Sequence, residues 1–196
     1  MLELYFSGIR IRVSLLFPAA MVVLLTLDQT GVPLWCIAAS AMHEAGHFLV
    51  LLLLGNKPAQ ISVGAFGIRV EQDPRSPLGY RSNILVSLAG PMVNLFAFSV
   101  VYAAAGMSVP AMIHLTLAVL NLLPIEPLDG GQALFCFLAL HWEEVRADRV
   151  VFIVSLCTII PLAVVGFTLL IQSGYNFTLL LVSLYLSLLL LFKRKR

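Results

Sequence analysis

The residues best suited to chemistry in this chain lie in a short motif, His-Glu-Ala-Gly-His, inside an apolar segment. His43 and His47 are four residues apart, so on a helix both imidazoles lie on one face, about one turn apart. Two imidazoles so placed can hold one metal ion, and Glu44 between them can act as general base toward water at that metal. Placing an acidic side chain in hydrocarbon costs roughly 2.5–3.5 kcal/mol of free energy. We therefore expect that the protein's function requires Glu44 at this position.

A second segment, Asn121–Leu134, provides candidates for the third ligand that a catalytic zinc site needs. Its two prolines each remove a backbone donor, and its paired glycines allow close backbone approach. Irregular backbone at membrane depth is tolerated only where it packs in protein or lines a water-filled cavity. Asp129 is the predicted third ligand and Glu126 is its rival. The two remaining histidines, His114 and His141, are interpreted as ordinary interfacial residues.

The composition identifies the elements that must position these groups as membrane helices. The 196 residues are 60% hydrophobic and 11% charged, against about 25% charged in soluble domains. We therefore expect an all-α polytopic membrane protein with one membrane domain over residues 1–196. The net charge of +2 argues against a nucleic-acid partner. Cys36, Cys136 and Cys157 show no metal or disulfide spacing and are interpreted as small buried apolar side chains.

The hydropathy pattern predicts about six membrane segments, with a break in the fourth and a kink at Pro161 in the fifth. All twelve Lys and Arg lie in residues 1–12, 55–83, 141–149 and 193–196, which predicts that both termini are cytoplasmic. Residues 55–81 favour a short β-hairpin at the cytoplasmic face, whose edge could hold an extended substrate. The predicted segments are Val13–Leu27, Pro33–Leu54, Ile84–Ala105, Pro110–Leu140, Val150–Ile171 and Tyr175–Phe192.

Three stretches together resemble the signatures of the site-2 protease family of intramembrane zinc metalloproteases, in its small six-span branch. They are the histidine motif, the sequence Asn-Leu-Leu-Pro-Ile-Glu-Pro-Leu-Asp-Gly-Gly, and Ser-Leu-Ala-Gly-Pro-Met-Val-Asn-Leu at 87–95. The resemblance implies one Zn²⁺ per chain and a catalytic role for Glu44. The residues that match its zinc ligands are His43, His47 and Asp129, and those that match its asparagines, expected to contact substrate, are Asn94 and Asn121.

The same resemblance implies a substrate class and a location. The expected activity is cleavage of a membrane-embedded or membrane-tethered protein, such as a pro-sigma or anti-sigma factor, in the bacterial cytoplasmic membrane. The partners expected with it are the lipid bilayer, an inhibitory membrane protein and a second copy of the chain. No PDZ or CBS domain, which many relatives carry, is expected in this chain. Two alternatives remain open: a metal-ion or solute transporter, since such proteins also have broken helices, and a catalytically silent pseudoprotease.

Overall fold

The computed structural model describes residues 2–6, 9–13, 26, 28, 30–56, 58–64, 67–72 and 77–194. These residues are predominantly helical and include one four-stranded sheet. The helices are α1 (Val32–Leu53), α2 (Tyr80–Ala105), α3 (Val109–Leu122), α4 (Asp129–Ala139), α5 (Glu144–Ser173) and α6 (Thr178–Arg194). The strands are β1 (Leu2–Phe6), β2 (Ile9–Val13), β3 (Pro58–Gly64) and β4 (Gly67–Gln72).

The sheet has the order β1-β2-β3-β4, with antiparallel outer pairs and a parallel central pair. Strands β3 and β4 lie in the loop for which a hairpin was predicted. Its cytoplasmic location and its use by substrate stay predictions. The two N-terminal strands were not anticipated. Val13, the predicted start of the first span, is instead the last residue of β2, where it pairs with Leu2 and Val63. Apart from Thr26, the rest of that predicted span lies outside the described residues.

Three helices of the described part are long and apolar enough to cross a membrane: α1, α2 and α5. Two shorter apolar helices accompany them, α3 and the Thr178–Leu191 part of α6. The predicted count of six spans therefore stays a prediction. Helix α5 continues through Pro161 without interruption.

Residues 1–120 form one compact unit, in which α1 and α2 pack through small residues. A Cβ added at Gly46 would lie 2.9 Å from both the carbonyl oxygen of Ala89 and Cγ2 of Val93. Helices in a membrane gain little from burying leucine against each other, because lipid is equally apolar. Small residues that let two backbones approach closely are therefore common at their interfaces. The buried residues of the two helices recur at helical spacing, which places the site residues on their shared face: Ala39, His43, Gly46, Ser87, Gly90, Asn94 and Ala97.

Residues 121–196 form the second unit, which begins with the predicted break in the fourth segment. Helix α3 ends at Leu122 and α4 begins at Asp129, so the proline-rich stretch between them is not helical. The hydroxyl of Ser155, on α5, holds this stretch: it accepts a hydrogen bond from the backbone N–H of Glu126 at 3.0 Å and donates to the carbonyl of Val151 at 2.7 Å. Ile125 is fully buried against α5 and α6, which anchors the break in the apolar core.

The glycine pair after Asp129 has a steric reason. A Cβ at Gly130 would collide with the backbone of Leu122, and a Cβ at Gly131 would collide with the carbonyl of Ile125. Only glycine therefore lets the first turn of α4 lie against the irregular backbone before it. This close contact holds Asp129, the first residue of α4, next to the irregular backbone.

The three cysteines are free, as their spacing predicted. Their expected burial is correct only for Cys136, because Cys36 and Cys157 lie on exposed faces of α1 and α5. Both exposed faces belong to apolar helices that are long enough to span a membrane. A cysteine on such a face is compatible with lipid, so apolar sequence context alone did not distinguish a buried face from an exposed one.

Candidate metal centre

The two histidines of α1 converge on a common point. Their Nε2 atoms lie 3.1 Å apart, and the rings are nearly perpendicular, at 81°. Two nitrogens that each lie about 2.0–2.1 Å from one tetrahedral zinc ion are about 3.3–3.4 Å apart, so the pair fits that ion. His43 is 6% exposed and His47 is half-buried, so neither side chain is an ordinary surface histidine.

The second nitrogen of His47 determines its tautomer. Its Nδ1 lies 2.6 Å from the carbonyl oxygen of Val86, on α2. A carbonyl oxygen only accepts hydrogen bonds, so Nδ1 carries the proton and Nε2 presents a lone pair. A backbone carbonyl that orients a metal-binding imidazole is a common second partner in zinc sites.

The third candidate ligand is on α4. Asp129 is the first residue of that helix and is half-buried. Two imidazoles and a carboxylate form a donor set that zinc accepts, with one position left for water or substrate. Glu44, one residue after His43 on the helix, is half-buried.

Asn94 and His114 form a polar line that sequence reasoning did not anticipate. Asn94 is fully buried, and its amide lies 3.2 Å from Nδ1 of His43 and 3.1 Å from Nδ1 of His114. The interpretation of His114 as an ordinary interfacial histidine is therefore wrong: the side chain is 5% exposed and hydrogen-bonded inside the protein. Its spacing from the buried residues Ala111 and Ala118 on α3 was the available signal. His141 is exposed, as expected.

Gly90 of α2 lies directly against both imidazoles. A Cβ at this position would collide with Nε2 of His47 and would lie 2.7 Å from Nε2 of His43. Gly90→Ala is therefore expected to push both ligand atoms away from their common point. We expect zinc affinity to fall by at least the roughly 10–100-fold that loss of a supporting contact causes. Zinc titration of the purified protein against a chelator measures this change.

Gly79→Ala is the matched control for this substitution. Gly79 precedes α2, has a negative φ of −64°, and has nothing within 4 Å of an added Cβ. Zinc affinity should be unchanged in this variant. Wild-type zinc affinity in Gly90→Ala would show that the metal does not lie at this face of α2.

The described residues form apolar helices, three of them long enough to span a membrane, and one of these carries a His-Glu-x-x-His motif whose two imidazoles converge. The family model described as Peptidase family M50 matches residues 103–162. A Synechocystis sp. protein named as a zinc metalloprotease is 34% identical over 108 residues, 50% of this chain and 28% of that protein. Stage IV sporulation protein FB of Bacillus subtilis is 27% identical over 124 residues, 59% of this chain and 43% of that protein.

The fold resembles that of a solved structure, the site-2 protease from Methanocaldococcus jannaschii. The TM-score is 0.64 at 21% identity, over 94% of this chain and 91% of that chain. The resemblance predicted from the three sequence motifs is confirmed: the Peptidase family M50 model and both curated relatives match parts of the chain, and the fold is that of a site-2 protease. It spans less than half the length of the two curated relatives.

Proposed function

We propose that this chain is an intramembrane zinc endopeptidase that cleaves a membrane-embedded or membrane-tethered protein. The observation that carries the proposal is the convergence of two imidazole nitrogens, 3.1 Å apart, on a helix apolar enough to span a membrane. In this proposal His43, His47 and Asp129 hold one zinc ion. The donor set, the Peptidase M50 match and the zinc metalloprotease name of one relative support zinc.

Glu44 carries the proton transfers of the reaction. When bound, zinc supplies Lewis-acid activation of water and of the peptide carbonyl. The Glu44 carboxylate takes a proton from the attacking water and passes it to the amine that leaves when the C–N bond breaks. One water molecule is consumed, and the products are a carboxylate and an amine. A half-buried acid next to a metal-binding histidine is well placed for both transfers.

Asn121 is proposed as a contact for the substrate backbone. It is half-buried at the C-terminal end of α3, directly before the non-helical stretch that leads to Asp129. A substrate segment must be extended at the bond that is cut, because helical amides are shielded by their own hydrogen bonds. Its free backbone groups then need partners, which an asparagine amide offers as both donor and acceptor.

The cellular setting follows from the charge pattern and the relatives. We propose a multi-pass protein of a bacterial cytoplasmic membrane with both termini in the cytoplasm, because every Lys and Arg lies in the segments assigned to that side. The substrate proposed is a membrane-tethered transcription regulator, such as a pro-sigma or anti-sigma factor. One relative is a sporulation protein by name, which supports a sporulation substrate. An inhibitory membrane partner and self-association belong to the same proposal.

The test is cleavage of a membrane-tethered test protein by the purified full chain in lipid vesicles, with bound zinc measured before and after chelation. We expect cleavage by the zinc-loaded protein, loss of cleavage after chelation, and recovery when zinc is restored. About one zinc ion per chain should accompany the active state.

Two other results would select the alternatives. Passage of zinc across the vesicle membrane, without any cleavage, would favour the transporter. Bound zinc with neither cleavage nor passage, for every tethered substrate tested, would favour a silent pseudoprotease.

A further inference from the structure

A buried line of hydrogen-bonding side chains leads away from the metal-binding face of α1. It runs from His43 through Asn94 of α2 to His114 of α3, and all three side chains are at most 6% exposed. Buried polar groups in apolar surroundings are costly unless each one is satisfied by a partner. Both ends of the Asn94 amide have an imidazole nitrogen as partner, at 3.2 and 3.1 Å.

Metal binding by His43 restricts how this line can be protonated. A neutral imidazole that gives its Nε2 lone pair to a metal carries its proton on Nδ1. That N–H needs an acceptor, and the amide of Asn94 lies 3.2 Å from Nδ1. Of the two ends of an amide, only the oxygen accepts. In the structure Nδ2 of Asn94 lies toward His43 and Oδ1 toward His114. Rotation of the amide by 180° exchanges the two atoms at nearly the same positions, and metal binding by His43 selects this rotated orientation, with Oδ1 toward His43.

The orientation of the amide then determines the state of His114. With Oδ1 toward His43, the Nδ2 group faces Nδ1 of His114 and donates to it. His114 must therefore be neutral, with its proton on Nε2. His114 thus holds the amide in the one orientation that His43 requires as a metal ligand.

We propose that Asn94 and His114 are positioning residues for the metal ligand His43, with His114 acting through Asn94. The inference rests on the proposed function, because it takes His43 to be a ligand. In this proposal the Asn94 amide oxygen accepts a hydrogen bond from Nδ1 of His43. The carbonyl oxygen of Val86 does the same for Nδ1 of His47. Asn94 is fully buried with both amide ends paired, which suits a positioning role. The substrate contact that the resemblance implies for this residue stays a prediction.

The first test measures the tautomer of His114 in wild-type protein. Nitrogen NMR of the ¹⁵N-histidine-labelled full chain, purified in detergent and loaded with zinc, distinguishes Nδ1–H from Nε2–H. The His114 signal is assigned by its absence in His114→Asn. We expect neutral His114 with the proton on Nε2. A proton on Nδ1, or a doubly protonated ring, would overturn the proposal without requiring any variant to fold.

The second test measures zinc affinity in a paired set of variants. Asn94→Leu should weaken zinc binding by about 10–100-fold, and His114→Leu by an amount near the lower end of that range, because it acts one residue further away. Asn94→Asp and His114→Asn keep an acceptor where the line needs one, so both should bind zinc more tightly than the leucine variants. His141→Asn is the control, since His141 is exposed, lies after the end of α4, and has its Nδ1 3.2 Å from the carbonyl oxygen of Phe137.

The outcomes separate this inference from the proposed function. Wild-type protein that binds no zinc would overturn both. Zinc-binding wild-type protein in which Asn94→Leu and His114→Leu keep the wild-type affinity would overturn the positioning role alone. Equal loss of affinity in the leucine and the conservative variants would also overturn it, because a requirement for shape alone would then account for the effect.

Discussion

Replacing Glu44 by glutamine is expected to abolish peptide cleavage while zinc stays bound. Glutamine has nearly the same shape but cannot take a proton from water, and general acid–base groups contribute about 10²–10⁴-fold to rates. We expect the rate to fall by at least that factor, because the same carboxylate serves both proton transfers. The measurement is the single-turnover cleavage rate of a tethered substrate, beside the zinc content of each protein.

Glu143→Gln provides the matched control for loss of a carboxylate. Glu143 is an exposed residue directly before α5, and its substitution should leave both cleavage and zinc content unchanged. Loss of zinc from Glu44→Gln would identify Glu44 as a ligand instead of a base. Cleavage by Glu44→Gln at the wild-type rate would remove Glu44 from the mechanism altogether.

Removal of the Asp129 carboxylate should have the largest effect on metal binding. Asp129→Ala takes away one of three proposed ligands, so we expect zinc affinity to fall by more than the roughly 100-fold upper value for loss of a supporting partner. Cleavage should fall with it. The carboxylate also lies in the first turn of α4, where its loss costs that helix only about 0.3–1 kcal/mol. Zinc titration and a thermal unfolding curve separate the two effects.

Glu126→Gln is the comparison for the ligand assignment, because Glu126 is the rival acid in the same broken segment. The backbone N–H of Glu126 is held by Ser155, and this hydrogen bond does not depend on the Glu126 side chain. Zinc affinity should stay at the wild-type value in Glu126→Gln. The reverse pattern, with zinc lost from Glu126→Gln and kept by Asp129→Ala, would exchange the two assignments.

The fold was partly predictable from local patterns. Apolar length predicted the long helices, and prolines predicted the break between α3 and α4, because both signals act within a few residues. The N-terminal strands carried a signal that was overlooked: Leu2, Leu4 and Phe6 alternate with polar residues, as a strand pattern does. The parallel pairing of Ile11 with Ile61 joins positions that are distant in the chain, and no local periodicity specifies such a partner.

The sequence by itself determined the chemistry proposed for this protein. A four-residue spacing places two imidazoles on one helix face in any helix, and Glu44 accompanies them by adjacency alone. Only the tertiary structure decided what supports those groups. The carbonyl that orients His47 comes from Val86, 39 residues away, and the amide beside His43 comes from Asn94, 51 residues away. Such partners depend on which faces of two helices pack together. Gly46 of the motif allows a close approach, but the motif does not specify that Ala89 and Val93 of α2 lie against it.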